Sequence, residues 1–558
     1  MDKFQSSFVG GLNQQVDSIR IADNEYAFLL NARNRFDDIR PVKLPQEVAD
    51  LVIAGLKQGG IEVGSTLVLF VAGQAFYKDF NFPASVFQIV PGFALAPEAS
   101  TIWAEAVSAS YINSKRELPT GDGDSKTNVM LLTDINSSPQ TVVCQDGVSQ
   151  PQAISSNFLG RSLQKYEQWT DNDIREYVPV GRQMLYQDGI LYMVGADRKS
   201  VFHSITGRPL DFMVKISEDG DKLNTEELGG AGTVAHRVDF DDITCLAHLN
   251  LENGGFYVST ARNSYAVIPD FTPSELIFGE PIFANQFLFN SGTTNNFSFS
   301  ETNGDYAFIS QNGIRSFNAI EFFKNEGVNS PFSKKLGPIL QGIFQTTTAT
   351  KVFDNYLLIS AMTIYGPGII IYDTLTDSFV GLDLYPGVGL VKQFFEVITA
   401  TEKLLFFIDD TNKLYQAFSG LTASAGIYIG DWTSNDPGKD YKVEQFRLVF
   451  SNVLETGDVD VTLFVDKNSQ LVLSKELKQN AIEEDLLSVP FGTSNAKKVT
   501  TLSYDFGRAK RGWRVGFYIS WDIDAKLSSV SMSTTEEKTI NSDSEQAREY
   551  NRLLENLR

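Results

Sequence analysis

The stretch Phe353–Asp383, FDNYLLISAMTIYGPGIIIYDTLTDSFVGLD, decides the fold. YLLIS is a compact apolar run, Gly366-Pro367-Gly368 interrupts it, and GIIIYD is a second run. After the polar residues Thr374 to Asp377, SFVGLD makes a third. Short β-rich runs separated by turn residues read as neighbouring antiparallel strands, here most of one small sheet.

The same strand-turn-strand text recurs on both sides. Upstream it stands at Asn303–Ile320, Asn253–Ile268 and Gln187–Ile205, and downstream at Thr401–Phe418. Two weaker copies, Gly64–Phe80 and Thr127–Val143, precede them. Lead positions lie about 50 residues apart in the later copies and about 65 in the earlier ones, a period that suggests propeller blades rather than a solenoid. The expected fold is mainly β: a β-propeller of about six or seven blades, then an antiparallel β-sandwich and a C-terminal helix. A blade buries both faces against its neighbours, which accounts for runs that are continuous rather than alternating.

The 558 residues exceed one ordinary core, and four regions are expected. Residues 1–60 form an N-terminal arm and entry strands, with a strand, a turn or short helix at Ala22–Leu30 and a strand near Ile39–Leu44. Residues 61–420 carry the propeller, with insertions at 81–124 and 155–179. The first insertion reads as irregular, and the second holds a short helical stretch at Ser162–Gln168. Residues 421–533 contain longer strands with period-two alternation, as in Val459, Val461, Leu463 and Val465, the pattern of a sheet solvated on one face. Residues 534–558 close the chain: Ser542–Glu545 fits a capping box, and Tyr550, Leu553, Leu554 and Leu557 share one face of an amphipathic helix.

Lys and Arg total 47 against 69 Asp and Glu, a net charge of -22. That argues against a protein that grips nucleic acid by neutralising phosphates, and suits a surface that polyanions pass without sticking. Cys144 and Cys245 form neither a CxxC pair nor a disulfide framework. The opening MDKFQSSFVGGLNQQ lacks a signal-peptide pattern. No apolar run approaches the roughly 20 residues of a membrane helix. A soluble chain without a membrane segment is expected. His203, His236 and His248 are not spaced as metal ligands, and the Asp122, Asp124, Asp134 group lacks the rest of an EF-hand loop. Gly229-Gly230-Ala231-Gly232 has no phosphate-loop context. No catalytic, metal or cofactor-binding residue is assigned, and no cofactor is expected. Carboxylate pairs for a polysaccharide-acting enzyme, or a glycan- or receptor-binding surface on the two insertions, are the alternatives.

FVGGLN at Phe8–Asn13 and NEYAFLLNARNR at Asn24–Arg35 resemble the tail proteins of short-tailed bacteriophages, namely the tail tubular or nozzle proteins and the tail hub proteins that stabilise packaged DNA. HSITGRPLDF at His203–Phe212, GDYAFISQNGIRSF at Gly304–Phe317 and IIIYDTLTDSFVGLD at Ile369–Asp383 are similar to blade text of that group, and GWRVGFYISW at Gly512–Trp521 to its sandwich. The resemblance implies a virion tail protein, made in the host bacterial cytoplasm, whose copies form a ring below the portal or adaptor ring. Its implied partners are further copies of itself, other tail proteins, tail fibres or spikes, and double-stranded DNA in transit without specific binding. Phe4 and Phe8 in the arm, which either pack on their own propeller or reach a neighbouring copy, and Tyr550, Leu553, Leu554 and Leu557 in the closing helix are the candidate subunit interface.

Overall fold

The computed structural model describes residues 2–5, 7–14, 20–22, 24–35, 38–49, 55–82, 84–90, 94–95, 97–109, 127–134, 137–145, 152–154, 173–174, 181–195, 197–204, 214–216, 222–223, 236–250, 255–270, 282–311, 313–318, 332–339, 348–433, 439–466, 468–478, 499–512 and 514–538. The protein is mainly β, divided among many sheets, with 3-10 segments at Asn296–Ser298 and Phe332–Ile339.

Seven of the sheets are short antiparallel meanders that follow one another along the chain. Sheet I comprises Lys57–Val63, Thr66–Val71, Gln74–Asp79 and Gln88–Ile89. Sheet II opens with Trp103–Ala109, sheet III with Gly181–Gln187 and sheet IV with Ile243–His248. Sheets V, VI and VII open with Phe299–Thr302, Thr350–Phe353 and Val391–Ile398. The opening strands are neighbours in a circuit: I touches II, II touches III, III touches IV, V touches VI, VI touches VII, and VII touches I again. Sheet IV meets V through the 3-10 turn at Asn296–Ser298. The outer strand of sheet VII is Gln46–Glu47, which pairs with Leu414–Gln416, so residues from just before sheet I complete the last sheet.

The continuous apolar runs follow from this arrangement, because successive side chains leave a strand on opposite faces. In Thr66–Val71, Leu67, Leu69 and Val71 pack with Phe395 and Phe406 of sheet VII, while Val68 and Phe70 pack toward Ile102 before sheet II. In sheet III, Leu191 and Met193 meet Trp103 of sheet II, and Ile190, Tyr192 and Val194 meet Phe256 and Val258 of sheet IV. Sheets I and III therefore each contribute to two cores. The turns carry their own signals. Asp354-Asn355 and Asp188-Gly189 take positive φ at both positions, as a two-residue hairpin loop requires. Asp79, Asp197 and Asp373 each accept the backbone N–H two residues on, the side-chain turn that makes aspartate common at strand ends.

Gly11–Leu12 pairs with Glu25–Tyr26, and Asp173–Ile174, Val214–Ile216 and Lys222–Leu223 make a small sheet of their own; the other strands form two facing layers. One joins Val499–Gly512, Lys439–Ser451, Lys526–Lys538, Asp38–Pro41 and Ala32–Arg35, with Asp2–Gln5 also on Lys526–Lys538. The other contains Ala425–Thr433, Arg514–Trp521, Gly457–Val465 and Asn468–Leu477. Phe446 stacks on Phe517 at 4.3 Å between the layers, with Phe450 against Trp521 beside it. Val459, Val461 and Leu463 are buried, and their alternating neighbours are more exposed. Phe28–Leu30 pairs with Ala425–Thr433 on one side and, parallel, with Ser378–Asp383 on the other, which makes sheet VI and this layer one nine-stranded sheet.

Three expectations change. Of the turn or short helix at Ala22–Leu30 only the turn forms, the Glu25 N–H donating to the Ala22 carbonyl at 2.9 Å; Glu25–Tyr26 and Phe28–Leu30 are then strands, because sheet partners override a weak local preference. Residues 81–124 are not irregular throughout, since Trp103–Ala109 is the first strand of sheet II. The last strand continues to Lys538, past the expected boundary at 533. The closing helix, the helical stretch Ser162–Gln168 and Gly229–Gly232 lie outside the described residues.

Candidate functional site

Two places concentrate charged side chains inside the protein. The first is a joint between the arm, sheet VI and the two layers. Gly11, at φ +74°, runs so close to sheet VI that a Cβ would lie 2.5 Å from the Phe379 carbonyl oxygen. Tyr26 Oη donates to the Val380 carbonyl at 2.6 Å. Asn31 donates to the Ser424 carbonyl and accepts from the Leu384 N–H, tying sheet VI to the layer. At the centre, Arg33 donates to both oxygens of Asp383 at 2.8 and 2.6 Å, and Tyr385 Oη donates to the same carboxylate at 2.8 Å. The pair is buried, and the guanidinium also lies over the rings of Tyr356 and Phe418. Burial pulls the Arg33 pKa down, but the Asp383 carboxylate outweighs it and the net shift is upward. Arg33 Nη1 donates as well to the Ala32 carbonyl at 3.1 Å.

The second place is the space enclosed by the circuit of opening strands. A cavity of about 610 Å³ is lined by residues at the leading ends of those strands, among them Lys57, Trp103, Arg182, Thr244 and Lys392. Its charged side chains are Lys57, Arg182, Arg198 and Lys392 against Asp242 alone. Arg198 lies 3.7 Å from Asp242. Lys57 donates to the Asn412 carbonyl at 2.5 Å, and Lys392 to the Asn412 side-chain oxygen at 3.3 Å. Burial lowers the pKa of Lys57, and lowers that of Arg182 with help from nearby Arg198. A second cavity of about 420 Å³ shares Phe297 and Gln393 with the first and holds Glu62, Glu301 and Lys351. There Lys351 neutralises Glu62 at 2.8 Å, and Asn250 donates to Glu301 at 3.1 Å. Glu105, on the opening strand of sheet II, is pushed up to about 8 by burial, opposed by the Tyr186 N–H it accepts and reinforced by Glu62.

Of the candidate interface residues, Phe8 is fully buried in its own chain's core and is not available to a neighbouring copy. The reason is local: the Gly10-Gly11 break turns the arm back under Asn24 and sheet VI. Phe4 sits in the strand Asp2–Gln5, its backbone paired with Ser531. Tyr550, Leu553, Leu554 and Leu557 lie outside the described residues. His203 is buried with Nδ1 3.1 Å from the Ser204 carbonyl, and among the described residues no three His, Cys, Asp or Glu converge as a metal site. Cys245 is buried, and that burial drives its thiol pKa up. Sequence reasoning missed the cavity, although polar residues in pairs such as Lys57-Gln58, Arg182-Gln183 and Lys392-Gln393 are its signal.

No protein-family model matches the chain, and no curated protein matches it. Among solved structures it is similar to the AfRom2 CNH domain, at 12% identity over 66% of this chain and 97% of that one, with a TM-score of 0.31. A luciferin-regenerating enzyme aligns at 11% identity over 67% and 95%, TM-score 0.28. Hsv2 of Kluyveromyces lactis aligns at 8% over 69% and 95%, TM-score 0.30. Overlaps this loose identify neither a family nor a function. Among the described residues no helix is long and apolar enough to cross a membrane.

Proposed function

We propose that this chain is a structural subunit of a short-tailed bacteriophage tail: sheets I–VII act as a seven-bladed β-propeller, joined by the arm to a β-sandwich. Copies of it form a ring, a homohexamer, around a passage that retains and releases double-stranded DNA, seated against a portal or adaptor ring and other tail proteins. The observation that carries this reading is the joint. Three separate stretches that bear the resemblance, Phe8–Asn13, Asn24–Arg35 and Ile369–Asp383, meet there through Gly11 with Phe379, Tyr26 with Val380 and Arg33 with Asp383. Stretches far apart in sequence, each carrying part of the resemblance, build one connection.

The role is mechanical. Gln46–Glu47 closes sheet VII with residues from before sheet I, so opening the circuit means breaking a sheet. Phe28–Leu30 splices the propeller to the sandwich through continuous strand pairing. A net charge of -22 keeps phosphates from adhering during transit. Light scattering of the native, untagged protein over a concentration series, with electron micrographs of the same samples and with portal ring added, tests the reading. A ring with an open axis is expected, formed alone or on the portal. A monomer under both conditions overturns it. Deleting residues 542–558 is expected to weaken ring formation while leaving the fold intact; unchanged assembly removes Tyr550, Leu553, Leu554 and Leu557 from the interface.

A further inference from the structure

The larger axial cavity is incompletely satisfied. Its wall includes Gln183, 2% exposed, and Trp103, 8% exposed. The Gln183 amide is anchored by its donation to the Thr244 carbonyl at 2.7 Å, which leaves Oε1 buried with no hydrogen-bond partner. Trp103 Nε1 and Arg182 Nε are likewise buried donors without a partner. All three residues line this one cavity. A buried donor or acceptor left unmade is costly, so three at one place mark where a ligand would be held. Around them stand four cations and one carboxylate, in a chain whose overall charge is strongly negative.

The geometry points to a binding site for a small oxyanion, a phosphate- or carboxylate-bearing molecule, held by Arg182, Lys57, Lys392 and Trp103 at the mouth of the propeller channel. The two donors and the lysines supply hydrogen bonds to anionic oxygens, and charge-assisted bonds of this kind are the strong ones. Gln183 Oε1 accepts from a hydroxyl, which favours a ligand carrying one beside its charge. The cavity of about 610 Å³ has the size of a small-ligand site and is far too narrow for a duplex. The site is independent of ring assembly, because its residues come from opening strands of a single chain.

Titration calorimetry of the full-length protein with inorganic pyrophosphate, glucose 1-phosphate and citrate tests the assignment, the three probes separating bare phosphate, hydroxyl-bearing phosphate and carboxylate. One-to-one binding by at least one probe is expected. Arg182→Gln is expected to weaken it about tenfold or more with an unchanged thermal melt, since charged hydrogen bonds are worth roughly that factor. Trp103→Phe keeps the ring stacked on Phe297 at 5.0 Å and removes only the Nε1 donor, so a smaller but clear loss is expected. Lys335→Gln, which alters a cation paired with Glu25 at the joint, is the control and should bind like the parent. No binding of any probe, binding unchanged in both cavity variants, or equal weakening by Lys335→Gln overturns the site.

Discussion

Arg33 and Arg182 occupy opposite situations in one protein. Arg33 is enclosed by Asp383, Tyr356 and Phe418, and its carboxylate partner is further fixed by Tyr385. Arg182 is half-buried beside another arginine, with a buried Nε that nothing accepts from. A charge matched within its own chain is part of the framework, and removing its partner strands an ion. A charge only partly matched, as Arg182 is by the nearby Asp242, adds little net stability and leaves donors for something else.

The sharpest way to break this contrast is Asp383→Ala, expected to cost about 3–5 kcal/mol because Arg33 is left buried and unpaired. Urea denaturation measures it, and a loss below about 1 kcal/mol would make the joint no different from the cavity. Gly11→Ala comes next. Its positive φ and the Phe379 carbonyl at 2.5 Å from the added Cβ should cost about 1–3 kcal/mol in the same assay.

Glu105, on the opening strand of sheet II, sharpens the comparison. Its carboxyl titrates near 8 in the folded protein against an ordinary 4.5, so over that interval the folded state holds a proton the unfolded chain has lost. Stability from this group is therefore lost as pH rises from about 4.5 to 8. Glu105→Gln should flatten that slope and gain about 2 kcal/mol at pH 8, a part of what a shift of this size implies at 1.36 kcal/mol per pH unit. Thermal melts of both proteins across pH 4 to 9 would show parallel curves if the idea fails. The smallest effect belongs to Arg182→Gln, expected to stay within about 0.5 kcal/mol of the parent, as for positions without a structural partner.

The blade-like text proved easy to read and its setting did not. Each of the seven quoted stretches, from Gly64–Phe80 to Thr401–Phe418, falls on a different sheet, because outer strands packed on both faces read as unbroken apolar runs. The opening strands were hidden: WAEAVSA at Trp103–Ala109 and KQGGIEV at Lys57–Val63 carry polar residues toward an enclosed space, and so resemble neither template. The arm misled for another reason. Leu29 and Leu30 belong equally well in a helix, and the partners Ile427 and Gly426 of a strand about 400 residues later, with Leu382 on the other side, make them β.

Period, turn chemistry and composition determined by themselves that this is an acidic, mainly β chain of repeated small sheets followed by longer alternating strands, since those signals lie within a few residues of each other. Tertiary structure alone decided that Gln46–Glu47 completes sheet VII, that Phe8 is core rather than interface, and that Lys57, Arg182 and Lys392 share one cavity. Those facts depend on contacts between residues tens to hundreds of positions apart, and no local pattern encodes which distant strand a backbone edge will meet.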